Sequence, residues 1–305
     1  GRGRVVIARE LLAELEQCLA GGEGACIKAR VLFETVTGAD ARGYEGEVPE
    51  TDAETARALA ERVCGGYPVQ YVAGSWPFMD FEVQVGEGVL IPRDDTVALV
   101  EAAGSLAPAG AACLDLCAGT GVVGIALARR YGMQVTAVEK YDAAFEYLKV
   151  NSSVLAPRNT LVQADILHYQ DELADGAYRL IVSNPPYLTE EEYAAAPAEL
   201  AFEPKAALVG GLDYHRHIIG AYRRCLAPGG AMALEIGSTQ AGAVAELFRS
   251  AGYADIRVVQ DLQKNDRVVT ARIESEPELC YNITDRIRKS NENKGEPNNG
   301  DDREK

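Results

Sequence analysis

The chain has 305 residues, enough for one large or two modest domains, and its 47% hydrophobic and 25% charged fractions are those of an ordinary soluble globular protein. A net charge of −16 argues against a grip on bare duplex nucleic acid, which takes a basic face, and suits a basic protein partner better. No apolar stretch approaches the roughly 20 residues of a membrane span, no signal or transit segment is visible, and the seven scattered cysteines without a CxxC pair read as reduced thiols in a cytoplasmic protein.

The chain begins Gly1-Arg2-Gly3-Arg4 without Met, so the natural start is expected to have been trimmed or replaced. Residues 4–20, 25–38 and 52–65 have amphipathic patterns and predict three short helices. Thr51 and Glu54 resemble a capping box, and Gly65-Gly66 a helix stop. The Gly-rich acidic stretch 39–50 reads as loop. Residues 1–75 thus form a small helical domain. Phe78, Phe81, Val83 and Val85, followed by Val89-Leu90-Ile91 across Gly86-Glu87-Gly88, predict a β-hairpin linker over 76–92, ended by Pro92.

From residue 93 to 275 helix and strand alternate. Helices are predicted at 94–106, 121–131, 142–155, 212–226 and 238–251. Strands are predicted at 112–116, 134–139, 160–164, 179–183, 231–236, 255–260 and 267–273. This pattern predicts an α/β fold with a mostly parallel, doubly wound sheet, its last two strands joined by the polar turn Gln263–Asp266 as an antiparallel edge hairpin. Residues 276–305 are polar and charge-mixed and read as a disordered tail, in which the sequon Asn282-Ile283-Thr284 is a chance match.

Four strand ends carry chemistry. Asp115-Leu116-Cys117-Ala118-Gly119-Thr120-Gly121 closes the first strand of the alternating region and opens a helix, where glycines and free N–H groups let a ligand approach the backbone. No Walker lysine follows, so a triphosphate loop is not indicated. Glu139 ends the next strand, about twenty residues on, where an acid can hold two ribose hydroxyls; a plain surface charge is the other reading. Asp165 closes strand 160–164, with Ile166 beside it. It can meet an adenine amine, or it can simply cap a turn.

The fourth strand end is Asn184-Pro185-Pro186-Tyr187, after the apolar run Leu180-Ile181-Val182-Ser183. Asn offers a carbonyl acceptor, Pro185 a backbone carbonyl with no N–H, and Tyr187 a flat ring, a set able to hold a planar –NH2 group by both hydrogens. A proline-terminated strand followed by a loop is the plainer alternative. His215 and His217, two residues apart on a helix, point to different faces, so no metal site is expected. Phe33, Tyr67 and Tyr71 fit core positions.

Together, DLCAGTG, AVEK, QAD and SNPPY resemble the class I S-adenosylmethionine-dependent methyltransferases that act on amino groups. Gly74–Phe78, Val89–Arg93, Phe202–Leu208, Leu234–Gly237 with Gln240, and Asp261-Leu262 with Asp266–Val269 are similar to the HemK/PrmC family of protein-(glutamine-N5) methyltransferases, over residues 10–274. The resemblance implies a Rossmann-like domain with S-adenosyl-L-methionine as cofactor. Residues Cys117, Ala118, Gly119, Thr120 and Gly121 would cradle its methionine part, and Glu139 would hold its ribose. Asp165 and Ile166 would line its adenine, with Asn184 also at the cofactor.

Asn184, Pro185, Pro186 and Tyr187 would then bind the substrate glutamine amide, with Asn184, Pro185 and Tyr187 as the catalytic set. The helical domain would dock a class 1 peptide-chain release factor, whose Gly-Gly-Gln loop enters the cleft of a monomeric enzyme. Three departures stand out. Cys117 replaces the family's glycine, which suggests a slightly reshaped loop rather than a redox role. Asp94-Asp95-Thr96 replaces Pro-Glu-Thr, and the segment Gly210–Asp213 is shortened. A nucleic-acid amino-methyltransferase acting on adenine N6 or guanine N2 would use the same tetrapeptide, and a cofactor-binding protein without transfer is a third reading.

Overall fold

The computed structural model describes residues 4–22 and 24–275. The expected tail 276–305, with Asn282, lies outside the described residues. The described chain through Glu274 forms one compact unit.

Strand β1 (Val5–Ile7) leads into helices α1 (Ala8–Leu19) and α2 (Ala25–Thr37). Strand β2 (Glu47–Pro49) follows, then helices α3 (Glu50–Cys64) and α4 (Val69–Ala73). Ala8, Leu11, Leu15 and Leu19 form one buried stripe on α1, and Ala53, Ala56, Ala60 and Val63 one on α3. The alanines let the two axes approach closely around Leu32 and Phe33. Three expectations are corrected here. Val5–Ile7 pair with Glu47–Pro49 as an antiparallel ribbon, so the first helix starts at Ala8 and part of the expected loop 39–50 is strand. β-branched Val5, Val6 and Ile7 favour that extended form. Helix α3 starts at Glu50 after Pro49, leaving Thr51 inside the first turn, where it bonds Asp52 Oδ1 at 3.3 Å instead of forming a capping box.

The hairpin is also smaller than predicted. Strands β3 (Ser75–Phe78) and β4 (Phe81–Gln84) turn at Met79-Asp80, with Met79 at φ 54°, and pair Phe78 with Phe81. Gly86–Gly88 and Val89–Ile91 belong to the loop beyond it, with Val89 and Ile91 buried. Met-Asp carries no glycine or asparagine turn signal, which misdirected the reading to the next glycines.

After helix α5 (Val97–Gly104) come β5 (Ala112–Leu116), α6 (Val122–Tyr131), β6 (Gln134–Glu139), α7 (Asp142–Leu155) and β7 (Thr160–Gln163). Next are α8 (Ile166–Tyr169), β8 (Tyr178–Ser183), α9 (Glu190–Ala194) and α10 (Asp213–Ala221). The last elements are β9 (Leu226–Glu235), α11 (Ala241–Ser250), β10 (Ala254–Gln260) and β11 (Asp266–Arg272). The sheet order is β10-β11-β9-β8-β5-β6-β7, with β11 antiparallel to β9 and β10 and the other pairs parallel. This is the expected mostly parallel, doubly wound α/β sheet with an antiparallel edge hairpin.

Central strands β5 and β8 read as near-continuous apolar runs because helices cover both faces. Leu114, Leu116, Leu180, Ile181 and Val182 are fully buried, each contributing about 1.5–3 kcal/mol. The chain leaves β5 toward β6 on one side and toward β8 on the other. A crevice therefore opens at their carboxyl ends, where the glycine loop and the tetrapeptide lie.

Candidate active site

That crevice is a cavity of about 390 Å³. Its wall includes Cys117 to Thr120, Glu139, Asp165, Ile166, Asn184 and Pro186 among the predicted residues. Gly121, Pro185 and Tyr187 stand behind it.

The loop after β5 is built to expose backbone. Cys117, Gly119 and Gly121 have φ of 60°, 54° and 89°. A Cβ at Gly121 would meet Leu148 Cδ1 at 2.7 Å, so only glycine fits that corner; at Gly119 it would meet no protein atom within 4 Å, because that face is open cavity. Cys117 itself adopts a left-handed conformation, which glycine takes more readily than cysteine. Burial pushes its thiol well up, with the Glu139 charge adding to this, so it stays protonated and unsuited to redox or nucleophilic work.

The strain at Cys117 is of order 1 kcal/mol, close to the backbone entropy a glycine would lose on folding. Cys117→Gly is therefore expected to shift stability by less than about 1 kcal/mol. Cys117→Val, β-branched in the same conformation, is expected to destabilise by more than about 2 kcal/mol and to loosen the loop. Thermal melting of the pair checks both.

Glu139 is 7% exposed and organises the loop from β6. Its Oε2 accepts the Gly119 N–H at 2.9 Å, and its Oε1 accepts those of Lys140 and Tyr141 at 2.8 and 2.9 Å. A carboxylate has about four acceptor positions, so one on Oε2 is left for a ligand. Asp115, not singled out from the sequence, caps the first turn of α6 by accepting the Gly124 N–H at 2.9 Å. Burial raises its carboxyl to about 7.

Asp165 plays the capping role that was its alternative reading. It accepts the Leu167 N–H at 3.0 Å and pairs with Lys140 Nζ at 2.8 Å. Burial would raise its carboxyl, but Lys140 and Leu167 hold it below the usual range. It also lines the cavity beside Ile166, so both roles are open to it.

In the tetrapeptide, Asn184 donates Nδ2–H to Thr96 Oγ1 at 3.3 Å, and among the described residues nothing donates to its Oδ1. Among the described residues no backbone N–H bonds the Pro185 carbonyl. The Tyr187 carbonyl accepts Gln240 Nε2 at 2.8 Å, and its hydroxyl donates to Glu235 Oε1 at 3.3 Å. Burial and the nearby Glu235 charge raise the Tyr187 hydroxyl, so it stays protonated. Two acceptors, Asn184 Oδ1 on the cavity wall and the Pro185 carbonyl next to it in the chain, are therefore open among the described residues.

Sequence reasoning left Glu203 and Arg267 without roles. Glu203 accepts the Ile91 N–H at 2.9 Å and pairs with Arg93, which ties the segment after the tetrapeptide to the opposite cavity wall. Arg267 pairs with Asp95 at 3.1 Å and Asp261 at 3.2 Å, so the shortened acid of Asp94-Asp95 has a partner. His215 and His217 face apart, bonding the carbonyls of Glu235 at 2.8 Å and Ile166 at 3.1 Å. Among the described residues no group of three or more His, Cys, Asp or Glu is placed to hold a metal ion, and no helix is long and apolar enough to cross a membrane.

The helical layer reaches this site through residues 199–202 and through the loop 87–89, where the Tyr67 hydroxyl donates to Glu87 at 2.8 Å and the Tyr71 hydroxyl to the Val89 carbonyl at 2.6 Å. Tyr67 stacks edge-on to Phe202 with centroids 5.4 Å apart, Lys28 pairs with Glu199 at 2.8 Å, and Arg62 lies 4.1 Å over the Tyr67 ring. A second hollow, lined by Arg62, Tyr67, Glu87 and Phe202, shares Gly88 and Pro204 with the cavity wall.

Known proteins resemble this chain throughout. Residues 10–74 match the family described as the PrmC N-terminal domain, and residues 100–209 match one described as conserved hypothetical protein 95. A release factor glutamine methyltransferase of Geobacter sulfurreducens is 35% identical over 262 residues, 83% of this chain and 91% of that protein. One of Escherichia coli is 34% identical over 277 residues, 87% of this chain and 96% of that protein. A methyltransferase of Pyrococcus furiosus with a solved structure is 15% identical, with 72% of this chain and 98% of that one covered, at a TM-score of 0.49. Shared identity of this extent across both the helical layer and the sheet shows that the chain belongs to the release factor glutamine methyltransferase family.

Proposed function

We propose that this protein transfers a methyl group from S-adenosyl-L-methionine to the side-chain N5 of the glutamine in the Gly-Gly-Gln motif of class 1 release factors. The observation that carries this is Asn184, its Oδ1 open among the described residues, on the wall of a cavity that bare glycine-loop backbone and Glu139 also line, with the free Pro185 carbonyl next to it in the chain. The curated relatives are named for a protein substrate, which supports glutamine over a nucleic-acid base as the guest.

The cavity's donor set fits the cofactor. Glu139 has an acceptor position left for ribose hydroxyls, residues 117–121 present backbone to a chain carrying its own charged groups, and Asp165 with Ile166 offers an acceptor beside an apolar edge. When bound, the cofactor supplies an electrophilic methyl group. The protein's part is to orient the acceptor. An amide nitrogen is a poor nucleophile because its lone pair is delocalised. Asn184 Oδ1 and the Pro185 carbonyl would each accept one N–H of the substrate amide, fixing its plane and turning the nitrogen's face into the cavity.

The same two dipoles stabilise positive charge as it builds on nitrogen. Tyr187 would pack against the amide plane. No general base is needed, since the product cation loses its proton readily to water. The helical domain, residues 1–75, with the hairpin region and the methyltransferase domain from residue 93, would receive the release factor. The acidic chain favours a basic docking face on that partner. Incubation with labelled cofactor and a purified class 1 release factor, followed by peptide mapping, is expected to place one methyl on the glutamine of Gly-Gly-Gln. No label there, with label on tRNA or DNA instead, would overturn the assignment.

A further inference from the structure

The helical layer carries a pair of thiols that the transfer reaction does not use. Cys18 lies near the end of α1 and Cys64 closes α3, 46 positions further along the chain. Both are exposed free cysteines, and their sulfurs are 3.3 Å apart. The Cys64 thiol donates to the Cys18 carbonyl at 3.0 Å, which leaves the Cys18 thiol to donate to the Cys64 sulfur. Cys26, exposed on α2, has no such bond to another cysteine among the described residues, and Cys280 lies outside them.

The helix packing holds this contact in place. Leu15 and Leu19 of α1 and Ala60 and Val63 of α3 are buried in one cluster beside it. Arg57 of α3 bonds Glu14 of α1 at 2.9 Å, one turn before Cys18 and two turns before Cys64, so the two helices run side by side in a fixed register. Bonded sulfurs lie about 2.05 Å apart, so these two need to close by little more than about 1 Å, within reach of small rotations about the two Cα–Cβ bonds. Partial burial and the hydrogen bond with Cys18 hold the Cys64 thiol above its ordinary value, against the pull of Lys28. The pair therefore rests as thiols at neutral pH and reacts through its small thiolate fraction.

We propose that Cys18 and Cys64 are a redox-responsive modification site, at which a low-molecular-weight disulfide is exchanged for an intramolecular one that staples α1 to α3. One cysteine thiolate attacks a sulfur of the small disulfide, forms a mixed disulfide with it and releases a small thiolate. The other cysteine then attacks the protein sulfur of that mixed disulfide, and the second small thiolate leaves. The two protein thiols are oxidised, the small disulfide is reduced to two thiols, and the two cysteine protons end on them. Because the second sulfur is already in contact, this step is intramolecular and outruns a further exchange with the small disulfide. The staple closes a loop that holds α2, β2 and α3, and it lies three residues before Tyr67, which stacks on Phe202. Closing a loop of this length restricts the unfolded chain and so raises the melting temperature. The pair is not on the cavity wall, and the bridge forms whichever substrate the enzyme takes.

The test uses the full chain, first fully reduced and then held with glutathione disulfide at neutral pH. Digestion after glutamate puts Cys18, Cys26, Cys64 and Cys280 on four separate peptides, so mass mapping reads each linkage. The expected product joins the Cys18 and Cys64 peptides with the loss of two hydrogens, and dithiothreitol separates them again. The bridged chain is expected to melt at least about 3 °C above Cys64→Ser treated in the same way. Cys18→Ser and Cys64→Ser are each expected to lose the linkage and leave the remaining cysteine of the pair as a mixed disulfide. Cys18 and Cys64 recovered as thiols, as two separate mixed disulfides, or joined to Cys26 or Cys280 would overturn the dithiol site. The expected linkage without the rise in melting temperature would overturn the staple.

Discussion

Asn184→Ala is expected to lower the rate of methyl transfer to a Gly-Gly-Gln substrate about 10²–10³-fold, the usual loss when one of two preorganised polar groups at a reacting centre is removed. The argument is one of orientation. With Oδ1 gone, the Pro185 carbonyl holds one N–H of the substrate amide and the other hydrogen is free. The amide can then rotate about the remaining bond, and the nitrogen's face leaves the line of attack. Since the cavity is walled mostly by other residues, cofactor affinity should fall much less than turnover. Stopped-point transfer assays beside calorimetric cofactor binding separate the two quantities. Turnover within a few-fold of the parent would remove the tetrapeptide from the mechanism.

How much of this was legible in the sequence follows from where each residue's partners lie. The glycine loop, Glu139 and the tetrapeptide were readable because their chemistry rests on local residue types at strand ends. The sheet was readable for a similar reason, since strands buried on both faces are plainly apolar. The residues that orient the site were not readable. Thr96 reaches Asn184 across 88 positions, Tyr187 reaches Glu235 across 48, and Ile91 reaches Glu203 across 112. Thr96, Glu203 and Glu235 look like unremarkable polar residues until the fold brings their partners to them.

The same limit explains the small errors. The β1–β2 ribbon joins segments some forty residues apart, and nothing local distinguishes Glu47–Pro49 from loop. Asp95 looked like a weakened acid because its partner, Arg267, comes from the far edge hairpin. Cys117 looked like a disturbance because its type disfavours positive φ, yet the surrounding hydrogen bonds impose that conformation, and the cost of order 1 kcal/mol is tolerable within a stability of about 5–15 kcal/mol.

Glu139→Ala is expected to weaken cofactor binding about 10- to 100-fold, the first of the two losses that this residue carries. The one acceptor position left on its carboxylate can take one hydrogen bond from a ribose hydroxyl, at roughly 1.5–3 kcal/mol to a charged acceptor, or about one to two powers of ten in Kd. The second loss is structural. The carboxylate also receives the N–H groups of Gly119, Lys140 and Tyr141, so the alanine variant leaves three donors without their partner and frees the glycine loop. Glu139→Gln separates the contributions. It keeps the volume and one acceptor oxygen, but its NH2 end must face either the Gly119 N–H or the pair from Lys140 and Tyr141. Its cofactor affinity should therefore lie between the parent and the alanine variant, with a lowered melting temperature in the absence of cofactor. Alanine and glutamine variants that bind the cofactor like the parent would show that Glu139 serves the loop alone, and the ribose would have to be held elsewhere on the cavity wall.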